Sequence, residues 1–178
     1  MKNKLVYLSA LCMILIGCAH ISPQLMNMVP YIPPSALHHS NKTLKIGEVI
    51  GGEKSDPILK GSRIDAVSFK GALLLALQNS KIFQIVDANQ ISDYSINAIL
   101  IDQDQPVIGI NTTTTLIVKY ILIDESTQQE IWSKVIKSVY TAKSTDSLIG
   151  AIRLNMANEG AVRENIKILL NELSSLNL

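Results

Sequence analysis

Cys18 is the side chain whose neighbours most specifically prescribe a reaction. It ends the run Leu15-Ile16-Gly17-Cys18, which follows an apolar stretch from Leu5 to Ile16 and a basic start at Lys2 and Lys4. A leucine three residues before a cysteine, with the small Gly17 directly before it, is the lipobox arrangement, at which a bacterial signal segment is lipidated and then cut. The sulfur is the nucleophile and takes a diacylglyceryl group. Cleavage between Gly17 and Cys18 then leaves Cys18 first in the mature chain, its amine open to acylation as well. The apolar stretch runs to about a dozen residues, short of the ~20 a helix needs to cross ~30 Å of hydrocarbon. It therefore reads as a signal peptide over 1–17 rather than a membrane span. Each buried methylene contributes ~0.8 kcal/mol, so two or three chains, palmitate among them, make release from a bilayer negligible.

Other reactive side chains are scarce. Both cysteines (Cys12, Cys18) and all three histidines (His20, His38, His39) fall in the first 39 residues. Cys12 is discarded with the signal segment, so the acylated chain has no free thiol. Ser-His-Asp and Cys-His catalysis, zinc sites built on Cys or His, and redox dithiols need residue types that 42–178 lacks. His38 and His39 are adjacent, with no third ligand nearby, and read as solvated polar residues. No catalytic residue, metal or cofactor is expected. A carboxylate pair is what composition leaves open: Asp102 and Asp104 project to one side if their strand continues. Gln105 and Pro106 follow at once, so a solvated strand end is the simpler reading. Gly51-Gly52-Glu53-Lys54 lacks the spacing of a phosphate loop and reads as a strand-ending turn. Thr112 to Thr115 suit a pleated edge better than a sugar-binding ladder. Net charge is +1, with 17% charged and 4% aromatic residues. No basic stripe with interleaved aromatics appears, and nucleic acid is not an expected partner.

These residues need elements to position them. Residues 18–41 form a tether with Pro23, Pro30, Pro33 and Pro34, a density that disfavours helix and sheet and predicts an extended, exposed segment. Its Leu25, Met26, Met28, Val29, Tyr31 and Ile32 are more apolar than a free linker requires, which leaves docking on the bilayer, on the domain or on a partner open. Residues 42–178 are the size of one domain. Residues 43–50 alternate as a first strand, and Ser62 is placed to cap a helix over 63–79 with Ile64, Val67, Gly71, Leu74, Leu75 and Gln78 on one face. A short edge strand at 82–86 and a strand at 94–101 follow. Residues 112–124 and 130–142 form a hairpin about the turn at 124–129. From about 146 to 174, Leu148, Ile152, Met156, Val162, Ile166, Leu169, Leu170 and Leu173 recur at helical spacing, with Glu159 and Arg163 placed to pair on the surface. The expected fold is α+β: an antiparallel sheet of about four to five strands with two helices packed on it, in the order strand, helix, strands, helix.

The stretch from Gly150 to Ile166, with Ile131-Trp132 and Tyr140 before it and Asp93-Tyr94 further upstream, resembles a family of small proteobacterial envelope lipoproteins of unassigned function. It is similar more distantly to YajG-like lipoproteins and to auxiliary lipoproteins of lipid-handling ABC transporters. The resemblance covers about 65–174, and Glu159-Gly160-Ala161 is its most specific part. It implies a periplasmic, non-catalytic domain and carries no catalytic residue with it. Trp132 and Tyr140 share a strand face with Lys134 between them, a face suited to packing under a helix or to a glycan or lipid headgroup. Asn158, Glu159, Arg163 and Asn165 either contact a partner or buttress the junction of helix and sheet. Trp132, Tyr140, Asn158, Glu159 and Arg163 are thus the candidate partner surface. Ala19, rather than Asp, follows Cys18. By the general sorting rule of such lipoproteins, that directs the protein to the inner leaflet of the outer membrane, facing the periplasm. The expected role is an anchored accessory protein that binds another envelope component. The alternative is a lipid- or glycan-binding shuttle with its ligand in the cleft between helices and sheet.

Overall fold

Residues 112–124 alternate Thr, Ile, Val and Tyr so regularly that each second side chain can be buried. In the computed structural model they form β4 (Thr112–Asp124), where residues 112, 114, 116, 118, 120 and 122 are buried and the odd-numbered ones half-buried. Residues 23–52, 63–105, 109–176 and 178 are described. The lipobox at 15–18, Ser62 and the Glu53-Lys54 part of the glycine turn lie outside them. In chain order the elements are α1 (Leu25–Met28), a 3-10 turn at Pro34–Ala36, β1 (Thr43–Gly51), α2 (Ala66–Ser80), β2 (Gln84–Ile85), β3 (Tyr94–Asp104), β4, β5 (Gln129–Ala142) and α3 (Gly150–Ser174).

β4 and β5 form the expected hairpin. Its turn is fixed by the Asp124 carboxylate, which accepts the backbone N–H groups of Ser126 at 2.8 Å and Thr127 at 3.1 Å. Gln128 takes the left-handed conformation that closes it, with φ 58°. β3 pairs antiparallel with β4. β1 pairs parallel with both β3 and β2, giving the strand order β2-β1-β3-β4-β5. The sheet is therefore mixed, not antiparallel as the sequence suggested. The reason is α2: a helix between two strands carries the chain back to the end where it started, and the strands it joins run the same way.

α2 is capped by Asp65, whose side chain accepts the Ser68 N–H at 2.7 Å. It buries Phe69, Ala72, Leu73, Ala76 and Leu77, while Val67 is 81% exposed. The buried face differs from the one anticipated because residues 72–77 are apolar around most of the helix, which blurs the periodicity. α3 buries Val162, Ile166, Leu169, Leu170 and Leu173 as expected, but Leu148 precedes the helix and is exposed. Both long helices cover the same sheet face. Phe69 of α2 meets Tyr120 of β4 with ring centroids 6.4 Å apart.

The proline-containing segment is where expectation and structure differ most. It supplies a third helix, α1, and it is fastened to the domain. Met28 is fully buried and Leu37 nearly so, each contributing roughly 1.5–3 kcal/mol if wholly removed from water. Of the alternatives left open by its apolar residues, docking on the domain is what the described residues show. The segment follows α3 in the same direction. Gln24 and Asn27 meet Glu159, the Asn27 carbonyl meets Arg163, and the His38 N–H donates to Ser174 Oγ at 2.6 Å.

Candidate functional site

The sheet-facing side of α3 carries a row of polar side chains where an apolar stripe would be expected. Asn158 is fully buried, and its Oδ1 accepts from Gln103 Nε2 at 3.1 Å, Gln105 Nε2 at 2.5 Å and Thr114 Oγ1 at 2.8 Å. Gln103 in turn accepts the Ile64 N–H at 3.1 Å, so one asparagine ties α3 to β3, β4 and the approach to α2. About two turns further on, Asn165 accepts from the Tyr120 hydroxyl at 2.8 Å and donates to the Ile136 carbonyl at 3.0 Å. Burial raises the Tyr120 phenol well above its ordinary value, so it remains a neutral donor. Ser138 Oγ donates to the Ala161 carbonyl at 2.8 Å.

A β-bulge sets up this row. β3 and β4 shift register between Leu100 and Asp102, adding one residue to β3. Before the bulge, Ile96, Ala98 and Leu100 face the helices. After it, Gln103 and then Gln105 do, while Asp102 and Asp104 turn to the helix-free face. The two aspartates do share a side, as the sequence implied, at the half-buried to exposed end of their strand. Among the described residues no group of three or more His, Cys, Asp or Glu side chains is placed to hold a metal.

The second part of the site is the seam between α1 and α3. Glu159 is only 3% exposed. Its Oε1 accepts the Gln24 N–H at 2.6 Å and Asn155 Nδ2 at 2.9 Å, and its Oε2 accepts Asn27 Nδ2 at 2.8 Å. Glu159 is thus buried rather than paired on the surface with Arg163. Arg163 instead donates to the Asn27 carbonyl at 2.7 Å and lies 5.2 Å above the Tyr140 ring. Gly160 is the residue that lets that ring in, since a Cβ there would sit inside it. Trp132 is half-buried against the core on the same face of β5, and Lys134 between them pairs with Glu172 at 2.7 Å.

Sequence reasoning thus grouped residues that do converge. Their contacts are those of the buttress between helix and sheet and of the docked segment. What it missed are the partners from elsewhere in the chain: Gln24, Asn27, Gln103, Gln105 and Thr114. Gln103 and Gln105 carried a usable signal, two amides at strand spacing beside an apolar run, but the bulge that turns them inward leaves no mark in the sequence.

The fold has counterparts among solved structures. The fold is shared with protein XCC0632 from Xanthomonas campestris, described with the family model DUF330, at a TM-score of 0.62 and 13% identity over 86% of this chain and 93% of that one. It is also shared with the hypothetical protein CT253 from Chlamydia trachomatis, at a TM-score of 0.54 and 9% identity over 77% and 100% of the two chains. A third counterpart is a candidate lipoprotein from Caulobacter crescentus, at a TM-score of 0.50 and 14% identity over 74% and 88%. No protein-family model and no curated protein matches the chain. At these identities the likeness is one of fold.

Proposed function

We propose that this protein is a lipid-anchored accessory lipoprotein of the cell envelope, held through Cys18 in the inner leaflet of the outer membrane and facing the periplasm, where its domain binds another envelope component without catalysing a reaction. The observation that carries the reading is the lipobox Leu15-Ile16-Gly17-Cys18 followed, six residues after its cysteine, by a backbone N–H bonded to the buried Glu159. Anchor and domain are thus joined almost directly. The lipoprotein described among the fold's counterparts supports the same reading.

Trp132, Tyr140, Asn158, Glu159 and Arg163 are engaged within the chain, so the surface for a partner lies on the helix-free sheet face. There Val135 and Val139 are more than half exposed beside the half-buried Ile117 and Ile121. The cleft between helices and sheet, where a shuttled ligand was anticipated, is filled by Phe69, Leu73, Leu77, Tyr120 and Ile166. A shuttle would need its ligand site elsewhere.

Two measurements test the proposal. Replacing Cys18→Ser should leave unlipidated precursor, and palmitate labelling that persists in this variant would overturn the anchor. Co-purification from detergent-solubilised envelopes should return a specific protein with the native chain and lose it with Val135→Glu, Val139→Glu. Identical recovery from both, or none from either, would remove the partner role.

A further inference from the structure

We infer that the end of the molecule bearing Ile110, Leu148 and Ile149 contacts the phospholipid bilayer, with these three side chains entering its interfacial layer. The inference rests on the acylation of Cys18 proposed above and adds the orientation of the domain on the membrane.

The first support is direction. Because Gln24 sits at Glu159, Asn27 also at Arg163 and His38 at Ser174, the docked segment, traced back from His38 to Gln24, runs toward the α3 start at Gly150. The second is length. Glu159 lies nine residues into α3 from Gly150, about 13 Å along the axis. From Cys18 to Gln24 there are six residues, which at full extension span ~20–22 Å. With α3 upright and its start toward the lipid, an acylated Cys18 keeps that start within about 10 Å of the bilayer. The covalent chain is thus short enough to bring that end of the domain to the membrane.

The third support is what that end presents. The loops before β4 and before α3 meet there. Ser144 donates its N–H to Asn111 Oδ1 at 3.1 Å, and Arg153 reaches both loops, donating to the Ser147 carbonyl at 2.8 Å and the Gly109 carbonyl at 3.4 Å. On these braced loops Ile110 is 78% exposed, Leu148 93% and Ile149 58%. Three large aliphatic side chains held in water beside a short acyl tether match the chemistry of a lipid interface, which accepts apolar groups at its headgroup boundary. The opposite end is different. There Ile91 is exposed beside the ion pairs Lys42–Asp93 and Lys45–Glu125, so charged pairs rather than an aliphatic cluster meet the water.

The test uses the full acylated protein in vesicles of phosphatidylethanolamine and phosphatidylglycerol. The acylated chain has no free thiol, so Leu148→Cys and, separately, Ser126→Cys in the β4–β5 turn each accept one NBD fluorophore. Both positions are exposed, so neither change disturbs the core. The label at 148 should be quenched by doxyl lipid about threefold or more above the label at 126, and iodide should show the reverse order. Equal access of iodide to both labels overturns the inference. Intact mass on the same sample separates the two readings. Acyl chains present with label 148 in water defeats the orientation alone; an unacylated chain defeats the anchor and the orientation together.

Discussion

Asn158 shows how much a single amide can organise. Three donors from two strands converge on its Oδ1 in a fully buried position. Replacing it with alanine takes that acceptor from three buried donors, a cost of about 3 kcal/mol given 1–3 kcal/mol for a buried unsatisfied group. For a domain of this size that corresponds to a Tm lower by roughly 6–12 °C. Differential scanning calorimetry of Asn158→Ala checks it, and a change below about 2 °C would show that the three donors find other partners. Gly160 makes a complementary point. Adding a β-carbon there gains about 1 kcal/mol of helix propensity, yet drives the Tyr140 ring from under Arg163. Gly160→Val, which adds more bulk with less of that propensity gain, should lower stability by about 1–3 kcal/mol, the usual cost of overpacking, as read from chemical denaturation. The importance of both residues was legible in the sequence, because Asn158 and Gly160 stand out within an otherwise apolar helical repeat. Their partners were not, since nothing local to Thr114 or Gln105 says that a helix 44 to 53 residues away will offer them an acceptor.

At the scale of elements, regular alternation and helical spacing located most of the sheet and both long helices. β4 spans the residues its alternation marks, and α3 ends at Ser174 as its apolar spacing requires. β3 runs three residues past the expected end, because the turn-like Asp102-Gln103-Asp104 is absorbed into the sheet by the bulge. The docked N-terminal segment was hidden for another reason. Prolines do forbid long helices, but they also stiffen an extended chain, lowering the entropy lost when it is fastened down. Pro30 is buried between Met28 and the turn at Pro34–Ala36. Glu159→Gln places an amide nitrogen against donors from Gln24 and Asn27, so the segment should open locally. Hydrogen exchange measured by mass spectrometry should rise across 24–40, with β3, β4 and β5 unchanged. Unaltered protection at 24–29 would mean that Met28 and Leu37 hold the segment without the carboxylate.

For the whole molecule, polar chemistry is divided between its two ends. At the end away from Ile110, the Asp93 carboxylate accepts the Thr43 N–H at 2.8 Å and the Thr43 hydroxyl at 2.7 Å, joining the start of β1 to that of β3. These bonds hold its pKa below the ordinary value. Asp124 is lowered first by the Ser126 hydroxyl and Glu125 first by Lys45, whose ammonium lies 2.8 Å away. A carboxylate depressed in the folded state stabilises above its unfolded pKa of about 4, and that contribution is lost as pH falls through the lower folded value. Stability should therefore decline below about pH 4, with this end of the sheet opening first. Tm followed from pH 6 to pH 2 checks this, and Asp93→Asn should flatten the decline; an unchanged slope in that variant would assign the acid sensitivity to other groups.

The bond from Gln24 to Glu159 closes a loop of 135 residues, and that from Ser40 to the Leu178 carbonyl one of 138. The docked segment therefore cannot reach its final contacts until α3 has formed and packed. Contacts of such long sequence separation are slow to close, so this segment is expected to be among the last parts of the domain to be fixed.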